Sequence, residues 1–222
     1  MEGGNLEDSL ACKKRSTPIN WRNRIQIAHG TAEGLQYLHG MSLVHRDIKS
    51  ANILLDLDLM PKLADFGLMQ MEKIEDDDET ESQLEIAGTS CYMSPEAITY
   101  GIITTKGDVF SFGVVLMELL TSLPPDDENR MFRLLAKTHI CRLYLLALFF
   151  IFSSLLLHVE EMCGENSISP LLDTKAGVWG GQGQPVAHKL YNLAVHSLNR
   201  RDDMRPDMKD VTEKLSRLEL NV

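Results

Sequence analysis

The stretch Asp108–Leu120 is apolar on nearly every helical face, through Val109, Phe110, Phe112, Val114, Val115, Leu116, Leu119 and Leu120. A helix with no polar side must be surrounded by protein, so it has to run through the middle of a domain. That requirement dictates much of the rest, because other elements must be long enough to wrap it. Suitable partners are present. Asn20 can cap a helix whose apolar residues Trp21, Ile25, Ala28, Ala32, Leu35 and Leu38 recur at steps of three and four, with Gly40 to end it. Further on, one helix is expected over about Val186–Leu198, and another that sets Met208, Val211, Leu215 and Leu218 on a single face. A short helix is expected around Leu6–Ala11.

Between these helices, Ile53-Leu54-Leu55 and Lys62-Leu63-Ala64 read as short strands, with Asp56–Pro61 as the turn that joins them. Val44–Asn52 mixes charged and apolar residues without a helical period and reads as an exposed loop. Phe66–Pro95 shows no stable period, and so long an irregular stretch in a compact domain is usually functional or mobile. The expected fold is mainly α with a small β element, a single domain over the 222 residues.

Charge and cysteine usage narrow the function classes. A net charge of −10 argues against a nucleic-acid surface, which needs clustered Lys and Arg; much of the acidity is local, in the run Glu72–Glu81. Cys12, Cys91, Cys141 and Cys163 form no C-x-x-C pair, which favours free thiols in a reducing compartment over disulfides or a zinc site. No basic segment with a short apolar core follows Met1, so a cytoplasmic location is expected.

Transfer of a phosphoryl group from ATP needs a carboxylate near the accepting hydroxyl, a cation near the γ-phosphate and oxygen ligands for magnesium. His45-Arg46-Asp47-Ile48-Lys49-Ser50-Ala51-Asn52 carries the first two and part of the third, and Asp65-Phe66-Gly67 adds a second carboxylate after the two strands. This pair resembles the catalytic loop and D-F-G segment of protein kinases. The likeness continues in order. Gly88-Thr89, Tyr92 and Met93-Ser94-Pro95-Glu96 resemble the end of the activation segment, with Ser94 where most kinases carry Ala. Asp108–Gly113 resembles the start of the central C-lobe helix, and Arg205-Pro206 the arginine that pairs with Glu96. The strings HRDIKSANILLD (His45–Asp56) and GDVFSFGVVLMELLTS (Gly107–Ser122) are similar to those of interleukin-1-receptor-associated kinases, Pelle and plant receptor-like kinases. GTSCYMSPEA (Gly88–Ala97) leans toward the animal members.

The resemblance implies the C-terminal lobe of the kinase fold, acting with ATP and Mg2+ on protein Ser/Thr hydroxyls. It implies that Asp47 orients the substrate hydroxyl and accepts its proton, that Lys49 touches the γ-phosphate, and that Asn52 and Asp65 ligate magnesium. Leu54 would floor the adenine pocket, with Met1 at the hinge among the nucleotide-binding residues; His45 and Phe66 would pack, and Asp108 would anchor the catalytic loop. Lys49 with Thr89 points to Ser/Thr specificity. Expected partners are protein substrates and, by resemblance, receptor–adaptor complexes of Toll- or interleukin-1-type innate-immune signalling. Thr80 and Ser82 are candidate phosphorylation sites in the acidic loop, where a phosphate could pair with Arg46.

Two departures bear on domain organisation. Met1–Leu6 resembles the interlobe hinge, so the N-lobe is expected to be absent, with its Gly-rich loop, strand lysine and partner glutamate. Residues 131–157 read as an atypical insert holding the apolar run Leu143–Leu157, with translated intron as its expected origin. Fifteen residues fall short of a typical span of ~18–20, and a span would separate Arg205 from Glu96, so a membrane segment is not expected. The alternative function is a catalytically inactive kinase-lobe fragment acting as a binding module.

Overall fold

The computed structural model describes residues 3–13, 17–72, 87–125, 168–169, 172–177, 179 and 183–219. Its helices are α1 (Leu6–Leu10), α2 (Trp21–Gly40), α3 (Pro95–Tyr100), α4 (Thr105–Thr121), α5 (Gly183–Ser197) and α6 (Met208–Glu219). Four short strands, β1 (Leu43–Val44), β2 (Ile53–Leu55), β3 (Pro61–Leu63) and β4 (Gln70–Met71), form two antiparallel pairs, β1 with β4 and β2 with β3. The expected insert at 131–157, the candidate phosphosites Thr80 and Ser82, and Met1 lie outside the described residues.

The all-apolar helix is central. In α4, Val109, Phe112 and every residue from Val114 to Thr121 are buried, while the Thr104 hydroxyl caps its first turn by accepting from the Gly107 amide. α5 lies along α4, and α6 lies along α2. In α6 the four residues expected on one face, Met208, Val211, Leu215 and Leu218, are the four that are buried. Asn20 caps α2 by accepting from the Asn23 amide at 2.9 Å, as its sequence position suggested. Gly113 sits where α4 and α5 meet, and a Cβ there would lie 2.9 Å from Ser197 Cβ and 3.0 Å from Leu198 Cγ. The missing side chain lets the two helices approach closely.

Two expectations need correction. The segment Val44–Asn52 is not an exposed loop: Val44, His45, Asp47, Ile48, Ser50 and Asn52 are all buried. Burial of so polar a run is possible because its side chains and amides find partners on α4 and on the 87–93 segment. The second strand is Pro61–Leu63, one residue earlier than expected; Ala64 still bonds to the neighbouring chain, its amide donating to Asn52 O at 2.9 Å. Phe66–Pro95 contains regular pieces that periodicity could not reveal, among them β4 and 3-10 turns at Phe66–Leu68 and Ser90–Tyr92. Elements of two or three residues are too short to display a period.

Candidate active site

The candidate site residues gather around the loop between β1 and β2. Its backbone is pinned from below by the first turn of α4, where the buried Asp108 carboxylate accepts from the His45 amide at 2.8 Å and the Arg46 amide at 2.9 Å. His39 Nε2 lies 3.0 Å from the same carboxylate. Arg46 is held at φ 73°, a left-handed conformation that costs a non-glycine residue energy and is found at functional sites. His45 is wholly buried, with Nε2 at 3.1 Å from Ala64 O and its ring 5.2 Å from that of Phe66. These two rings therefore pack, as the sequence suggested, and they tie the loop to the Asp65-Phe66-Gly67 turn.

Asp47 is the hub. Its Oδ2 accepts from Lys49 Nζ at 2.6 Å and from Asn52 Nδ2 at 2.9 Å, and its Oδ1 accepts from the Thr89 hydroxyl at 2.8 Å. Asn52 Nδ2 also donates to the Asp47 carbonyl at 2.9 Å, and Lys49 Nζ to Thr89 Oγ1 at 2.9 Å. Burial works to raise the Asp47 pKa, but donation from Lys49, Thr89 and Asn52 outweighs it and holds the carboxyl below the usual aspartate range. Asp47 is thus an ionised acceptor at neutral pH, with a cation and two neutral donors fixed around it.

Asp65 differs. Its side chain is exposed, and among the described residues no hydrogen bond or ion pair to its carboxylate is recorded. It too has a left-handed backbone, φ 64° and ψ 68°. Asn52 spends its amide hydrogens on Asp47, which leaves its carbonyl oxygen for another partner. Hard oxygen donors of this kind suit magnesium, which uses one or two protein oxygens and takes the rest from phosphates and water.

The surroundings lock the site's elements together. Leu54 lies half-buried on β2 and bridges to Asn5, while the Leu55 amide donates to Gly4 O at 2.8 Å. Gly3 must stay glycine here, since a Cβ would lie 2.5 Å from Asp56 O. The Arg205 guanidinium grips Glu96 with two bonds, Nη1 to Oε1 at 2.6 Å and Nη2 to Oε2 at 2.8 Å, and stacks over Phe110. Burial favours a neutral Glu96, yet the Arg205 bonds prevail and lower its pKa. The Ser94 hydroxyl faces the same carboxylate but makes no hydrogen bond of normal geometry.

Three buried polar residues with roles here were not picked out by sequence reasoning. Ser50 and Glu118 bond to each other, and Arg24 forms a buried network with Asp173 and Ser122. A signal existed for Glu118. An acid inside so apolar a stretch as Val114–Leu120 must have found a donor, since an unpaired buried carboxylate is prohibitively costly. Ser50 offered no comparable signal.

A helical domain that seats an HRD-type loop and a D-F-G turn against one central helix defines a protein-kinase catalytic unit. The chain belongs to that family: residues 1–215 match the model for protein tyrosine and serine/threonine kinases. It is 35% identical over 219 residues to probable serine/threonine-protein kinase PBL18 of Arabidopsis thaliana, covering 99% of this chain and 51% of that protein. It is 35% identical over 229 residues to receptor protein kinase WSS1 of Oryza sativa subsp. japonica, covering 98% of this chain and 22% of that protein. Over 136 residues it is 47% identical to the Arabidopsis serine/threonine-protein kinase-like protein CCR4, covering 58% of this chain and 18% of that protein. The chain thus spans about half the length, or less, of these curated relatives. Among the described residues no helix is long and apolar enough to cross a membrane.

Proposed function

We propose that residues 1–222 form the hinge and C-terminal lobe of a Ser/Thr kinase that transfers the ATP γ-phosphate to protein hydroxyls. The observation that carries this reading is the Asp47 hub, where one carboxylate holds Lys49, Thr89 and Asn52 at 2.6 to 2.9 Å. Asp47, ionised and fixed, receives the substrate hydroxyl's hydrogen bond and then its proton. Lys49 already sits beside that carboxylate, so its ammonium lies where charge on the transferred group must be neutralised. Thr89 closes the same corner and keeps the two from drifting apart. Asn52 and Asp65 are the residues that would hold magnesium, and Leu54 with Met1 would line the adenine side. When bound, MgATP supplies the phosphoryl group and shields its negative charge.

In the finer reading the parent protein is a cytoplasmic member of the interleukin-1-receptor-associated/Pelle group. It would relay signals from Toll- or interleukin-1-type receptor–adaptor complexes. The strings His45–Asp56 and Gly88–Ala97 support it, while the receptor protein kinase among the plant relatives supports only the wider receptor-like kinase superfamily. Labelled ATP and a generic protein substrate test the activity. The parent protein should transfer phosphate to Ser or Thr, and Asp47→Asn should lower kcat by about 10²- to 10⁴-fold, the usual weight of a positioned base. Full activity of Asp47→Asn refutes the proposal.

A further inference from the structure

Behind the Asp47 hub lies a second cluster, fully buried, that the chemistry above does not use. Ser50 Oγ donates to Glu118 Oε1 at 2.8 Å, and Tyr92 OH donates to Glu118 Oε2 at 3.0 Å. The two hydroxyls lie 3.1 Å apart. Each hydroxyl thus meets a different oxygen of the one carboxylate, and the carboxylate joins the two side chains. Ser50, Tyr92 and Glu118 come from the catalytic loop, the 87–93 segment and the central helix. All three are at most 6% exposed.

The consequence follows from where these residues sit. Ser50 opens the 3-10 turn Ser50–Asn52, in which the Asn52 amide donates to Lys49 O at 3.0 Å. Lys49 directly before it and Asn52 two residues after it are the residues of this turn whose side chains hold Asp47. Tyr92 closes the 3-10 turn Ser90–Tyr92, and its amide donates to Thr89 O at 2.9 Å. Thr89 is the third ligand of Asp47. The Tyr92 carbonyl in turn accepts from Ser111 Oγ on α4 at 2.8 Å. The loop and the segment are thus joined twice, at Asp47–Thr89 on the substrate side and through Glu118 behind it. One junction fixes the other.

We propose that Ser50 is a positioning residue, which through Glu118 and Tyr92 makes the placement of Lys49, Asn52 and Thr89 around Asp47 a single setting. This rests on the reading of the chain as a kinase lobe. Loss of one hydroxyl frees both turns to shift, and a displacement near 1 Å at a reacting centre costs up to about 10²-fold.

The test uses the parent protein with Ser50→Ala, Tyr92→Phe, the double variant and Ser50→Thr, which keeps the hydroxyl. Each single loss should lower kcat by roughly tenfold while the KM for ATP stays within about twofold. The double variant should be no slower than the worse single one, because residues acting as a unit are non-additive. Ser50→Thr should recover most of the rate. Hydrogen exchange should show faster amide exchange at Thr89–Met93 in Ser50→Ala, although the substitution lies in the other element. A merely structural hydroxyl would lower Tm but leave the kcat of folded enzyme unchanged, and the two losses would add; either result overturns the proposal. A parent protein with no transferase activity refutes the kinase reading instead. In that case exchange alone decides: unchanged exchange at Thr89–Met93 overturns the coupling.

Discussion

The Arg24 network offers the most direct test of how the domain is held closed. Arg24 projects from α2 into the core with its side chain 1% exposed. Its Nε donates to Ile19 O at 2.9 Å, Nη1 to Leu119 O at 2.8 Å and to Ser122 Oγ at 3.0 Å, and Nη2 to Asp173 Oδ2 at 2.6 Å. Replacing it by Met keeps much of the volume but strands two carbonyls and a buried carboxylate. Asp173 would keep only the Ser122 hydroxyl and the Lys175 amide. Removing one partner of such a pair costs about 3–5 kcal/mol. That is a large share of the 5–15 kcal/mol that a domain of ordinary stability possesses. For a domain of this size the loss corresponds to a fall in Tm on the order of 10 °C.

The assay is built in. Trp21 and Trp179, the protein's two tryptophans, lie 5.9 Å apart, and Trp179 Nε1 donates to Asp173 O. Urea unfolding followed by tryptophan fluorescence therefore reports on this corner directly. The double variant Arg24→Met/Asp173→Leu removes both charges and should recover most of the loss, because a buried pair contributes little against an apolar replacement. A cost below about 1 kcal/mol for Arg24→Met, or a double variant as unstable as the sum of its singles, would refute the reasoning.

Acidification should act through three carboxylates at once. Asp47, Glu96 and Asp173 all have pKa values lowered in the fold, burial being outweighed by donors in each case. Each binds fewer protons folded than unfolded, so its stabilisation is complete above an ordinary carboxylate pKa of about 4 and disappears as pH falls through the lower folded value. Unfolding monitored against pH should show a steep loss below about pH 4.5 and a flat plateau above it. Gly113→Ala should destabilise by about 1–3 kcal/mol through overpacking of α4 against α5, measurable by the same urea titration.

The helices were legible in the sequence because each buries a face whose period exceeds its noise. Trp21–Gly40 and Met208–Glu219 came out within a residue or two of their observed ends. The candidate site residues stood out for another reason: Asp47, Lys49, Asn52 and Asp65 belong to strings long enough to be specific, and the fold brings Asp47, Lys49 and Asn52 within bonding distance. The site's surroundings were harder. Val44–Asn52 reads as exposed because it is polar, whereas His45, Arg46, Asp47, Lys49 and Ser50 find internal partners dozens of residues away. Such pairings leave no periodic trace.

The central helix shows why those two levels belong together. Its apolar residues made it easy to recognise, yet its few polar ones carry the organisation of the site. Asp108 holds the start of the catalytic loop, Ser111 holds Tyr92, and Glu118 holds Ser50 and Tyr92. Beyond it, Leu119 O and Ser122 hold Arg24, while Leu120 O and Ser122 hold Asp173. Along one rod, polar positions appear at steps of three, seven and four, which keeps them on one face, where the catalytic loop, the 87–93 segment and Arg24 meet the helix in succession. A surface helix could not do this, because water would compete for every one of those bonds. Burial on all sides gives them their strength and requires that each be satisfied. The same property that identified α4 as the core thus makes it the frame on which the loops of the site are set.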